Sequence, residues 1–132
     1  RLCAPVIAAA PGTVDGQAYF VLSTLARTGP LTVARLAEHV GIDRSGTSRY
    51  ADRLQEAGLL DRQPDPADRR MSLISLTPEG AKLASQLADV LAGHLHDLTA
   101  DWPAGQVQAL AGGLDRLLAA TAAVPAQPNV NE

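Results

Sequence analysis

Aromatic side chains are scarce in this sequence of 132 residues, at 3%, so Ala, Leu and Val have to fill its interior. Ala and Leu are strong helix formers, and a core built from them points to a mostly α fold. The apolar share of 46% is enough for one domain with a helical appendage. Cysteine is confined to Cys3, which leaves no intramolecular disulfide and no multi-cysteine metal site within the sequence. Near a chain terminus, Cys3 reads as an incidental thiol. No apolar run is long enough to span a membrane. Residues 1–10 lack the full apolar core of a signal peptide, so a cytoplasmic location is expected. There is no Gly-rich phosphate loop, nucleophile elbow or His/Cys cluster at metal spacing, so neither an enzyme nor a cofactor is expected. His94 and His96 do not change this, because helical residues two apart point in nearly opposite directions and cannot share an ion.

Lysine is almost missing as well. Of the eleven cations only Lys82 is a lysine, and six of the arginines (Arg44, Arg49, Arg53, Arg62, Arg69 and Arg70) fall between residues 44 and 70. Arginine suits bidentate recognition of phosphate and guanine. The formal net charge of -3 pulls the other way, as do Asp52, Glu56, Asp61, Asp65 and Asp68 in the same stretch. Charge alone leaves a nucleic-acid partner open.

The order of elements is more telling. Tyr19, Phe20, Val21, Leu22, Leu25 and Ala26 predict a buried helix over 17–27, stopped by Thr28-Gly29-Pro30. Thr32 caps a second helix carrying Val33, Leu36, Ala37 and Val40, and Gly41 supplies its left-handed stop. Asp43 then caps a third helix over 44–57. Two short helices joined by a tight glycine turn are a helix-turn-helix. In the third helix Thr47, Tyr50, Ala51, Leu54 and Gly58 share one face. Ser45, Ser48, Arg49, Asp52 and Glu56 share the other. Gly46 weakens its first turn. Strand candidates at 59–63 and 71–76 flank a polar loop with Arg69 and Arg70 near its tip. A hairpin there is a wing, whose arginines can reach phosphates or a narrow minor groove. Thr77-Pro78 opens a helix to about residue 99, and another runs over 103–122. Ala84, Leu87, Leu91, His94 and Leu98 on the first, with Val107, Leu110, Leu114, Leu117 and Thr121 on the second, form a helix-packing seam. It is assigned here to a second subunit. His94 reads as a packed interface residue of that seam.

Residues 29–41, the run Asp43-Arg44-Ser45-Gly46-Thr47-Ser48-Arg49, the segment Leu54-Gln55-Glu56-Ala57-Gly58-Leu59-Leu60, the wing run Asp65-Pro66-Ala67-Asp68-Arg69-Arg70 and Leu76-Thr77-Pro78-Glu79-Gly80 together resemble the MarR family of regulators. The match spans about half of the chain, in the family's order and spacing. The resemblance implies a dimer, with Ser45, Ser48 and Arg49 facing bases and Arg70 entering the minor groove. It also implies that Asp68 pairs with Arg70 to hold the wing. A small aromatic effector would bind between the dimer helices and the winged domain.

The expected architecture is therefore mostly α with a β-hairpin wing: a winged helix-turn-helix plus a helical dimerisation region. Residues 1–16 read as a trimmed first helix used in dimerisation, and 17–77 as the DNA-binding domain. Residues 78–123 make the two-helix dimerisation region, and 124–132 a disordered tail. The expected DNA contacts are Thr32, Arg44, Ser45, Ser48, Arg49, Arg53, Arg69 and Arg70, with Arg53 open to an intramolecular pair instead. The expected dimer contacts are Leu87, Leu91, His94, Leu98, Val107, Leu110, Leu114 and Leu117. The expected partners are an inverted-repeat double-stranded operator and a second copy of the chain, in a ligand-responsive repressor. The competing reading is a winged helix used for protein–protein interaction, and a steep loss of DNA affinity with salt distinguishes the two.

Overall fold

The computed structural model describes residues 14–122, so Cys3, most of the expected N-terminal segment and the tail 124–132 lie outside the described residues. The chain divides into two compact units, Arg1–Leu95 and His96–Glu132. The first unit therefore runs well past residue 77, where the sequence had placed the end of the winged domain.

Helix α1, Gly16–Thr28, starts at Asp15, whose Oδ1 accepts the N–H groups of Gln17 (3.1 Å) and Ala18 (2.9 Å). It buries Ala18, Tyr19, Val21, Leu22, Thr24 and Leu25. Phe20 and Ala26, expected inside, are exposed, because the helix turns only one face to the core. Strand β1, Leu31–Thr32, is too short to show any periodicity and was not foreseen. Thr32 also caps α2, Val33–Val40, by accepting the Arg35 N–H (3.4 Å), and Gly41 (φ 67°) stops that helix. Helix α3 is Arg44–Glu56, capped by Asp43.

Strands β2, Leu60–Pro64, and β3, Ser72–Leu76, form the hairpin, and β3 lies between β1 and β2 in an antiparallel sheet. Leu31 faces Ile74 on one edge of β3, and Arg62 faces the same residue on the other. Both strands differ from expectation at their ends. The Leu59 N–H is taken by Leu54 O (2.9 Å) as the α3 terminus closes, and Met71 is held in the loop by the Asp68 carbonyl (2.8 Å).

Helix α4, Pro78–Leu98, opens on Thr77, whose Oγ1 accepts the Gly80 N–H (3.0 Å) and donates to Gly58 O (2.7 Å). The Thr77 N–H donates to Leu59 O (3.1 Å). Gly80 is buried against this junction, where a Cβ would stand 1.9 Å from the Leu59 carbonyl oxygen. The close approach is possible only for glycine. The first turns of α4 thus belong to the winged core, which contains Leu22, Leu36, Leu54, Ile74, Leu83, Ala84 and Leu87. Leu87, assigned from sequence to the subunit seam, is 2% exposed and is corrected to a core residue. A three-four stripe serves a protomer's own core as well as it serves a partner, so spacing could not tell them apart.

In the second unit, α5 is Ala104–Ala122. None of residues 96–120 is buried, and Leu110, Leu114, Leu117 and Leu118 stand 46–61% exposed. No described helix is long and apolar enough to cross a membrane.

Candidate nucleic-acid interface

The exposed start of α3 is built around its cap. Asp43 Oδ1 accepts the Gly46 N–H (2.9 Å) and the Ser45 hydroxyl (2.6 Å). The Ser45 hydroxyl, the Gly46 N–H and the nearby Arg49 charge hold the Asp43 carboxyl below its ordinary value. Gly46, which looked like a weakness, makes room for this arrangement: a Cβ there would sit 2.9 Å from both Asp43 Oδ2 and Ile42 Cγ2. Thr47 is fully buried, and its hydroxyl reaches Ile42 O at 3.5 Å. With that side turned inward, Arg44, Ser45 and Arg49 are exposed and Ser48 is half-buried on the outer surface. The positive end of the helix dipole favours an anionic partner at this terminus.

The acids on the same helix are partly neutralised. Asp52 Oδ1 receives Arg62 Nη2 at 2.6 Å, tying the first wing strand to α3. Arg62 was not singled out from sequence, since nothing in a separation of ten residues announces a contact across the α3–β2 turn. Glu56 remains exposed. Arg53 Nη2 donates to Asp15 Oδ2 at 3.2 Å, and its guanidinium lies 5.2 Å from the centroid of the Tyr50 ring. Burial pushes the Asp15 carboxyl up, but the Ala18 N–H and the Arg53 guanidinium outweigh it and bring it below its ordinary value. Tyr50, expected to face inward, is only half-buried.

At the wing tip, Asp68 Oδ1 accepts the Arg70 N–H and Nε (both 3.0 Å), and Oδ2 accepts Nη2 (3.1 Å). This fork holds the Asp68 carboxyl below its ordinary value and raises that of Arg70. The Arg70 side chain is still 89% exposed, and Arg69 is exposed beside it. Thr32 is half-buried at the sheet edge, with its hydroxyl engaged as the α2 cap. The structure thus brings Arg44, Ser45, Ser48 and Arg49 together on one helix end and leaves Arg69 and Arg70 on the wing tip. Among the described residues, no group of three or more His, Cys, Asp or Glu side chains is placed to hold a metal ion.

The sequence model of the MarR family matches residues 13–71, from the start of α1 through the wing loop. The multiple antibiotic resistance protein MarR of Salmonella typhimurium is 30% identical over 109 residues, which cover 82% of this chain and 76% of that protein. This chain belongs to the MarR family. As a MarR-family transcriptional regulator it is also similar to the putative transcriptional regulatory protein for the hcr operon of Thauera aromatica. That relative is 29% identical over 132 residues, covering 100% of this chain and 78% of its own length. Among solved structures, the MarR-family fold is shared with apo MarR of E. coli (TM-score 0.75, 26% identity, 89% of this chain and 87% of that one). It is shared too with the PcaV transcriptional regulator of Streptomyces coelicolor, solved with its natural ligand (TM-score 0.66, 31% identity, 92% and 83%).

Proposed function

We propose that this MarR-family regulator is a cytoplasmic, ligand-responsive repressor that binds an inverted-repeat operator as a homodimer. The observation that carries the reading is the exposed run of Arg44, Ser45, Ser48 and Arg49 on a capped helix end, flanked by a wing whose tip presents Arg69 and Arg70. A helix end of this kind enters a major groove, while wing arginines seek the negative potential of the adjacent minor groove. Ser45, Ser48 and Arg49 read base edges in this scheme. Arg44, Thr32 and Arg69 meet the backbone, Arg70 enters the minor groove, and Asp68 steadies it.

Homodimerisation is supported by the second unit, which buries none of its residues 96–120 while exposing four leucines of α5. Apolar stripes of that length are stable when a second copy covers them. Leu98, Val107, Leu110, Leu114 and Leu117 are the proposed contacts, together with His94 and with Leu91, which also packs against the winged core. Two α3 helices then fall in successive major grooves about 34 Å apart.

Effector control is supported by a recess of about 660 Å³ in the first unit, lined by Tyr19, Phe20, Ser23, Thr24, Arg27 and His39 among others. Tyr19 and Phe20 meet edge to face at 5.7 Å, a surface suited to a small aromatic molecule. A ligand that favours one arrangement of the reading heads shifts DNA affinity by its differential affinity for the two.

Fluorescence anisotropy with the DNA upstream of the protein's own gene, against a scrambled duplex at two salt concentrations, tests the reading. The expected result is tight, salt-sensitive, operator-selective binding that loses selectivity in Arg49→Ala. Binding to neither duplex at low salt by a confirmed dimer would move the function to protein–protein interaction.

A further inference from the structure

Beside α3 lies an open recess of about 300 Å³, lined among the described residues by Arg49, Tyr50 and Arg53. The two guanidinium groups among them are donors suited to an anion. What sets it apart is how firmly Arg53 is placed. Its guanidinium rests over the Tyr50 ring at 5.2 Å and donates to Asp15 Oδ2 at 3.2 Å. Asp15 is itself fixed, because its other oxygen takes the Gln17 and Ala18 N–H groups at the start of α1. A chain of contacts therefore runs from the α1 backbone through Asp15 to Arg53, and the Arg53 side chain still keeps half its surface (50%) exposed.

We infer that Arg53 is a backbone-phosphate anchor at the flank of the recognition helix, with Asp15 and Tyr50 as the positioning residues that hold its guanidinium ready. The inference rests on the DNA-binding reading above. Arg53 lies in the last turn of α3, away from the helix end that carries Ser45, Ser48 and Arg49, so it falls beside the groove rather than in it. A guanidinium fork matches a phosphate as well as it matches a carboxylate.

The arrangement makes a prediction opposite to simple charge counting. Asp15→Asn removes a negative charge near DNA, which by counting should strengthen binding. If Asp15 positions Arg53, the loss of that hold weakens binding, because part of the ordering of the long side chain must then occur on association. Asparagine is as good an N-cap as aspartate, so the variant keeps α1 intact.

The test measures wild type, Asp15→Asn, Arg53→Ala, Tyr50→Phe and Tyr50→Leu on operator and scrambled duplexes across a salt series. Arg53→Ala should weaken both duplexes by a similar factor and reduce the salt slope by about one contact. Asp15→Asn should weaken binding about two- to fivefold. Tyr50→Phe, which retains the ring, should bind as wild type, and Tyr50→Leu should fall. Unchanged or tighter binding by Asp15→Asn, or an unchanged salt slope in Arg53→Ala, overturns the assignment while leaving operator binding intact. Failure of the wild type to bind any duplex overturns the DNA-binding reading and this assignment with it.

Discussion

Alanine at position 80 should destabilise the protein even though it is the better helix former. In an open helical position, Gly→Ala gains up to about 1 kcal/mol. At Gly80 the new methyl would lie 1.9 Å from Leu59 O and 2.9 Å from Leu59 C, both backbone atoms that no rotamer can move aside. Overpacking of this kind costs about 1–3 kcal/mol. The same carbonyl accepts the Thr77 N–H, and displacing it leaves a donor short of its partner at about 1–3 kcal/mol more. The net expectation is a loss of about 1–5 kcal/mol, a large part of an ordinary domain's stability. Gly93→Ala is the internal control: it lies on the same helix, and nothing stands within 4 Å of its Cβ position. Urea unfolding followed by far-UV circular dichroism, at one protomer concentration, compares the two variants with wild type. Gly93→Ala should raise the midpoint and Gly80→Ala should lower it clearly. Equal midpoints for Gly80→Ala and wild type would refute the packing argument.

Leu87→Ala should cost about 2–5 kcal/mol at every protein concentration, as a core truncation does. Leu114→Ala should instead leave the winged unit's unfolding unchanged and weaken self-association in sedimentation. Asp15, Asp43 and Asp68 all have folded values below the ordinary 3.8, so their stabilisation is complete above that pH and fades as acid protonates them in the folded state. Urea midpoints should therefore fall on acidification below about pH 4, and Asp43→Asn should flatten that fall while keeping its cap. Asp68→Ala should lower operator affinity in anisotropy despite removing a negative charge, because Arg70 loses the fork that directs it. A gain in affinity would show that the Asp68–Arg70 pair does not serve binding.

Much of the winged domain was legible because its joints are chemical. Thr32, Asp43 and Thr77 each cap a helix, and Gly41 has the positive φ that its place after α2 foretold. The hairpin followed from two short apolar runs around a proline-stiffened loop. What escaped reading has a common cause, in that the partner is not encoded beside the residue. Strand β1 exists only because β3 offers it an edge. Leu87 carries the same spacing whether it meets its own core or another chain. Asp15 and Arg53 are 38 residues apart, and only the fold brings their charges together. Gly46 and Gly80 look like defects in helices until the neighbouring Asp43 cap and Leu59 carbonyl show what a side chain would displace.

The place of β3 between β1 and β2 bears on how such a reader can be re-targeted. A hairpin bonded on one edge alone could pivot at its base, but here the inner strand is stitched on both sides, and β1 leads directly into the helix-turn-helix. Length changes and residue exchanges at the base would therefore be felt in α2 within a few residues. The loop between Pro64 and Ser72 carries no such tie to β1. It is the natural cassette for grafting: under the proposed wing contact, swapping it among relatives should alter minor-groove preference while the framework that carries α3 stays as it is.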